Sequence, residues 1–259
     1  MKRFGELLAA FCTAAAILAG CSGIPEEMLA EREAAIAMMD SGDYEGAVAA
    51  FNGLVAEATS VTEFELDILK YRAEAEYKLG DYAAAAYTYD ILNQVDAERA
   101  EYCYFGAMSL AKAGDLAGAQ ELLEKGKALD MEEEAETMSV GYVEAVMAVG
   151  NSLFDSGDKV GANMLYDELI ADGCATTDIY NRLMTDAMAA GDYETALGLA
   201  EKGLQLEDGL AEKQLKFNEA VCYEYMGNWS KALSMFEAYV AEYGSDEKAE
   251  HEIAFLRTR

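Results

Sequence analysis

The chain has 259 residues, 53% of them apolar, and carries 49 acidic against 19 basic side chains for a formal net charge of −30. That apolar share supplies a sizeable core and excludes wholesale disorder, while the negative charge repels phosphate backbones and so excludes nucleic acid as a partner. A single proline favours helices, because proline breaks helix interiors, and a single histidine, His251, leaves no material for His-based triads or His-rich metal sites.

The first twenty residues read as an address. Lys2 and Arg3 precede an apolar run from Leu7 to Ala19, which ends Leu18-Ala19-Gly20-Cys21. The run is shorter than the ~20 residues a membrane-spanning helix needs and has the length of a signal-peptide core. Its end resembles a bacterial lipobox. The resemblance implies that residues 1–20 are a lipoprotein signal peptide removed before Cys21, that Cys21 is the lipidation site, and that 21–27 form a short tether. The bilayer is then a partner through acylated Cys21. The expected location is extracytoplasmic, anchored to the cell membrane, with the outer membrane open because Ser22 is not an aspartate retention signal.

Beyond the tether one pattern repeats six times. A Gly followed by Asp or Asn recurs at Gly42, Gly80, Gly114, Gly157, Gly191 and Gly227, at intervals of 38, 34, 43, 34 and 36. Five residues after each glycine stands an alanine, namely Ala47, Ala85, Ala119, Ala162, Ala196 and Ala232. Nine after it come Phe51, Tyr89, Leu123, Tyr166, Ala200 and Phe236; seven before it come Ala35, Ala73, Ala107, Gly150, Met184 and Ala220. These columns describe a helical hairpin. The glycine ends one helix in a left-handed conformation, the Asp or Asn caps the next, small residues let the pair approach, and the large residue fills the space between hairpins.

The segments GDYEGAVAAF, GDYAAAAYTY, GDYETALGLA and GNWSKALSMF resemble the tetratricopeptide repeat, a family with a period near 34 residues. The resemblance spans Met28 to Tyr239. It implies an all-α fold, a right-handed α-solenoid of about six helical hairpins over residues 28–244, closed by a C-terminal capping helix within 245–259. The family's frequent proline between repeats is absent.

Two breaks interrupt the pattern. The 43-residue interval carries extra residues around Ala128 to Val143, including Glu132, Glu133, Glu134 and Glu136. They form either a loop or an early extension of the fourth repeat's first helix, and the solenoid could divide near 128–142. In the second repeat, Glu76 stands on the otherwise apolar stripe with Arg72 one turn earlier. The two form a partly buried pair, or turn outward together, or face a ligand.

Catalytic motifs such as GxxxxGK[ST], HExxH and GxSxG are missing from the sequence. The expectation is a non-catalytic chain without cofactor or metal site. Cys103 and Cys222 fall within first helices and read as small core residues, whereas Cys174 lies near a turn and reads as the most accessible thiol.

The leading functional expectation is a membrane-anchored scaffold that binds a protein or peptide segment. In repeats of this family the inner surface is lined by the first helix of each hairpin, at about ten, six and three residues before the glycine. Those positions offer Tyr77, Tyr104, Met108, Met147, Phe154, Met188 and Phe217 as the putative groove-binding set. Methionine and aromatic groups suit an apolar or amphipathic segment, and the acidic surface favours a basic one. The competing reading is that these side chains pack between repeats. Alternative roles are an envelope or outer-membrane assembly component and a carrier of a small apolar ligand.

Overall fold

The computed structural model describes residues 23–56, 58–132, 138–206 and 208–259. The leader with Cys21, and the acidic residues Glu133, Glu134 and Glu136, lie outside the described residues. Thirteen helices and no strand occur among the described residues, which makes the fold an all-α helical repeat. The chain packs as two compact units that divide at Leu165/Tyr166.

The first unit contains α1 (Glu26–Ser41), α2 (Tyr44–Val55), α3 (Glu63–Leu79), α4 (Tyr82–Val95), α5 (Ala100–Ala113), α6 (Leu116–Glu132) and α7 (Tyr142–Ser156). The division falls within α8 (Lys159–Ala171). The second unit contains α9 (Thr177–Ala189), α10 (Tyr193–Leu204), α11 (Glu212–Tyr225), α12 (Trp229–Tyr243) and α13 (Glu247–Leu256). In each unit every helix packs on its successor, and first helices also meet across hairpins, α5 on α7 in the first unit and α9 on α11 in the second.

The turns are built as the repeat columns require. All six repeat glycines have positive φ, from 76° at Gly227 to 97° at Gly157, a region other residues avoid. At Gly80 the amide donates to the Tyr77 carbonyl at 3.1 Å and the next amide, Asp81, to the Glu76 carbonyl at 3.0 Å. This pairing satisfies carbonyls that a helix end otherwise leaves bare. Asp81 then accepts the Ala84 amide at 3.1 Å, starting α4, as Asp43 accepts Gly46 at 3.0 Å to start α2. Each such cap stabilises by ~1 kcal/mol.

The alanine column is buried completely at all six positions, and Phe51, Leu123, Phe236 and their counterparts are buried with it. In the first unit Ala35, Ala47, Phe51, Phe64 and Ile68 form one core cluster. In the second, Ala196, Ala200, Leu215 and Cys222 form one cluster, and Ala232, Phe236, Ala249 and Ile253 another. The last includes α13, which packs on α12 and buries Ala249, Ile253 and Leu256.

In the long interval the fourth repeat's first helix does not start early, and the loop alternative falls on residues 133–137, outside the described residues. The added length is seen on α6, which runs 17 residues to Glu132, and not as an early start of α7. Asp130 explains the extension. It is buried and accepts the Tyr104 hydroxyl at 2.6 Å and the Ser139 amide at 3.0 Å, with the Ser139 hydroxyl as a further donor. Ser139, just before α7, is therefore pinned to the end of α6.

Candidate protein-binding face

The inner positions of the first helices are not uniformly open. On α3, Tyr77 is half-buried and sets its ring edge-on to Tyr82 at 5.1 Å. Burial, then the neighbouring Tyr82, pushes its phenol up to about 12. On α7, Met147 and Phe154 are half-buried, and the Lys159 ammonium lies 5.2 Å from the Phe154 ring. These three keep part of their surface in solvent in the first unit.

Tyr104 and Met108, expected on the open face, are core residues at 0% and 2% exposure. The cause is the direct packing of α7 on α5. A slot at Gly126 of α6 completes the enclosure: a Cβ there would come within 2.6 Å of the Tyr104 ring. Tyr142 of α7 packs edge-on to the same ring at 5.7 Å, and Asp130 takes its hydroxyl. Tyr104 thus serves the joint between repeats.

In the second unit Met188 on α9 and Phe217 on α11 are each half-buried. Phe217 lies edge-on to Phe236 at 5.3 Å and to Tyr239 at 5.6 Å, so most of its ring belongs to the terminal core. Of the seven positions, five therefore retain partial exposure, three on the first unit and two on the second.

Arg72 and Glu76 turn inward together. Their charged groups meet at 3.4 Å with side-chain exposures of 12% and 8%. The Thr88 hydroxyl donates to Glu76 at 2.6 Å, and Arg72 donates to Thr88 at 3.0 Å and to Asn52 at 3.2 Å. Burial outweighs these partners and holds the Glu76 carboxyl above the usual range. The pair joins α3 to α4 and α2 as a structural network.

The thiols sit as expected, with Cys103 and Cys222 buried and Cys174 partly accessible. The sequence columns did not reveal an aromatic edge on the second unit, where Tyr193 stacks on Tyr225 at 5.3 Å and the Arg259 guanidinium lies over Trp229 and Phe255. Its signal was present in the residue two after each glycine. Among the described residues no group of three or more His, Cys, Asp or Glu is placed to hold a metal ion, and no helix is long and apolar enough to cross a membrane.

Comparison with known proteins agrees with the fold. A tetratricopeptide repeat family profile matches residues 215–245, the last hairpin. No curated protein matches the chain as a relative. Among solved structures, the C-terminal part of a tetratricopeptide-repeat protein from Cytophaga hutchinsonii is similar at 16% identity and TM-score 0.66, covering 88% of each chain. A tetratricopeptide repeat protein from Parabacteroides merdae is similar at 14% identity and TM-score 0.54, over 98% of this chain and 94% of the other. PilW, described as a widely conserved type IV pilus biogenesis factor, is similar at 15% identity and TM-score 0.60, over 90% of this chain and 99% of its own.

Proposed function

From the premise of a tetratricopeptide-type helical-repeat chain, we propose a membrane-anchored extracytoplasmic lipoprotein that acts as a non-catalytic scaffold for a protein or peptide segment. The observation that carries the binding reading is the set of half-buried apolar side chains on first helices, Tyr77, Met147 and Phe154 in the first unit. Each leaves part of an adaptable apolar surface in solvent, and such groups suit an amphipathic segment docked along a groove. The net charge of −30 steers basic segments toward it. The anchoring reading rests on Leu18-Ala19-Gly20-Cys21 after a basic, apolar leader. A second reading, a component of envelope assembly, is favoured by the likeness to PilW at TM-score 0.60, which is a likeness of fold.

Two experiments test these parts separately. In cells, wild type should partition into the detergent phase and Cys21→Ser into the aqueous phase; equal partitioning of the two overturns the anchor. For binding, partners crosslinked to the wild type in membranes are compared with those of Tyr77→Ser/Phe154→Ser. Loss of a specific partner with the helical melt retained supports the face. A partner retained by the variant overturns it.

A further inference from the structure

Of the tether expected at residues 21–27, the part from Ile24 onward belongs to the first unit. Ile24 is half-buried and packs against the core cluster that contains Phe51, Leu54, Phe64 and Ile68. Pro25 opens α1 with φ at −58°, the value its ring enforces, and its carbonyl accepts the Leu29 amide at 3.2 Å. Glu26 and Glu27 already form the first turn of the helix. Among the described residues the packed chain therefore starts at Ile24, and in sequence only Ser22 and Gly23 separate it from Cys21. Three peptide steps span at most ~11 Å.

Topology decides what else stands at that end. Helix α1 runs away from Ile24, α2 returns beside it, and α3 packs on both. The link from α2 to α3 thus lies on the same edge of the unit as Ile24. Its residues Ala58, Thr59, Ser60, Val61 and Thr62 are exposed and uncharged, with Val61 at 44% exposure. The opposite edge is made by the repeat turns, each with an aspartate, Asp43, Asp81 and Asp115. Adjacent helices lie 8–10 Å apart, so the start of α3 is within ~20 Å of Cys21.

We propose that the first unit rests this edge on the bilayer that holds Cys21, with the Ile24 end of α1 and the 58–62 link against zwitterionic headgroups. The inference rests on the anchoring reading above. Hydroxyl side chains and one valine bring no charge that contact would have to desolvate. The exposed carboxylates on the same edge, Glu26, Glu27 and Glu63, match the ammonium of a choline head and are repelled by a net-negative leaflet. The repeat turns at the far end of α1 stand ~24 Å farther out, so the anchor gives the unit a fixed orientation as well as a location.

The test uses the mature lipidated chain in phosphatidylcholine vesicles that contain a headgroup-nitroxide lipid. Fluorophores are attached singly through Val61→Cys and through Ser41→Cys, at the two ends of the unit, each with Cys174→Ser; Cys103 and Cys222 are buried. Quenching should be at least about twofold stronger at position 61 than at position 41, because ~24 Å of helix separates the two levels. A Gly-Ser insert of about twenty residues between Gly23 and Ile24, reaching ~25 Å, should erase the difference and leave the melting temperature unchanged. Replacing part of the lipid by phosphatidylglycerol at low salt should weaken quenching at position 61, and 1 M salt should restore it, since the Debye length falls to about 3 Å. Equal quenching at the two positions, or a difference that survives the insert, overturns the proposal. Quenching at position 61 that rises with phosphatidylglycerol overturns the assignment to zwitterionic heads. A chain that fails to float with the vesicles refutes the anchor and this edge with it, whereas a chain that floats with equal quenching refutes the edge alone.

Discussion

Removing Glu76 alone should damage the first unit more than removing Glu76 and Arg72 together. Both side chains are nearly enclosed, at 8% and 12% exposure. In Glu76→Ala the Arg72 guanidinium keeps its bonds to Thr88 and Asn52 but loses its counter-charge, and the Thr88 hydroxyl loses its acceptor. Breaking a buried pair costs ~3–5 kcal/mol in general, and the surviving neutral partners put this case at the lower end, ~3 kcal/mol. For a chain of this size that lowers the melting temperature by ~6–12 °C. In Arg72→Met/Glu76→Leu no charge is stranded, and the change should stay within ~1 kcal/mol of wild type. Circular dichroism melts of the two variants decide the matter, and equal losses would refute the reasoning. The sign of the pH dependence adds a check. The Glu76 carboxyl is raised in the fold by burial, so its contribution to stability is fully present below the usual carboxylate range and is lost as pH rises through the raised value. The stability of Glu76→Gln relative to wild type should therefore rise from pH 4 to pH 7, whatever its starting value, and a relative stability that falls contradicts the assigned shift.

The remaining predictions concern the turns, the joint and the thiols. Asp81→Ala removes the acceptor of the Ala84 amide and should cost ~1 kcal/mol, read as a lower urea midpoint with unchanged slope. Gly126→Ala puts a methyl into the Tyr104 ring and should cost ~1–3 kcal/mol by overpacking; a neutral outcome would remove the slot from the account of Tyr104. A maleimide applied to the native protein should modify Cys174 first by peptide mapping. Cys103 and Cys222 are buried, and burial pushes the Cys222 thiol up to about 11 and the Cys103 thiol upward as well, so both should react only after denaturation.

What the sequence made legible was whatever the hairpin settles locally. The glycine, the following Asp and the flanking alanines are fixed by helix ends and by the closest approach of two adjacent helices, so their columns predicted φ and burial residue by residue, and the cap at the five aspartates, while Asn228, expected to cap α12, makes no side-chain cap bond. What it concealed was settled by a neighbour further along the chain. Tyr104 on α5 stands ten residues before its repeat glycine, as Met147 on α7 does before its own, yet α7 covers Tyr104 and its neighbour Met108. Periodicity assigns a face to a helix and is silent about what lies on that face. The clue at α6 was a helix-interior glycine, Gly126, whose purpose appears only when the Tyr104 ring is placed against it.

The succession of helices, each lying on the next, has a consequence in time. Nearly all the packing joins segments close in sequence, and every hairpin turn is closed by its own backbone bonds and most by their own cap. Loop closure is then cheap at each step, which places the chain among fast folders, and a stack of this kind can open one hairpin at a time. Among the described residues α13 packs chiefly on α12. Amide exchange should therefore be fastest in α13 and slow toward the interior helices of its unit, so that a partner held near α11 and α12 would be felt as a delay in the opening of the C-terminal layer.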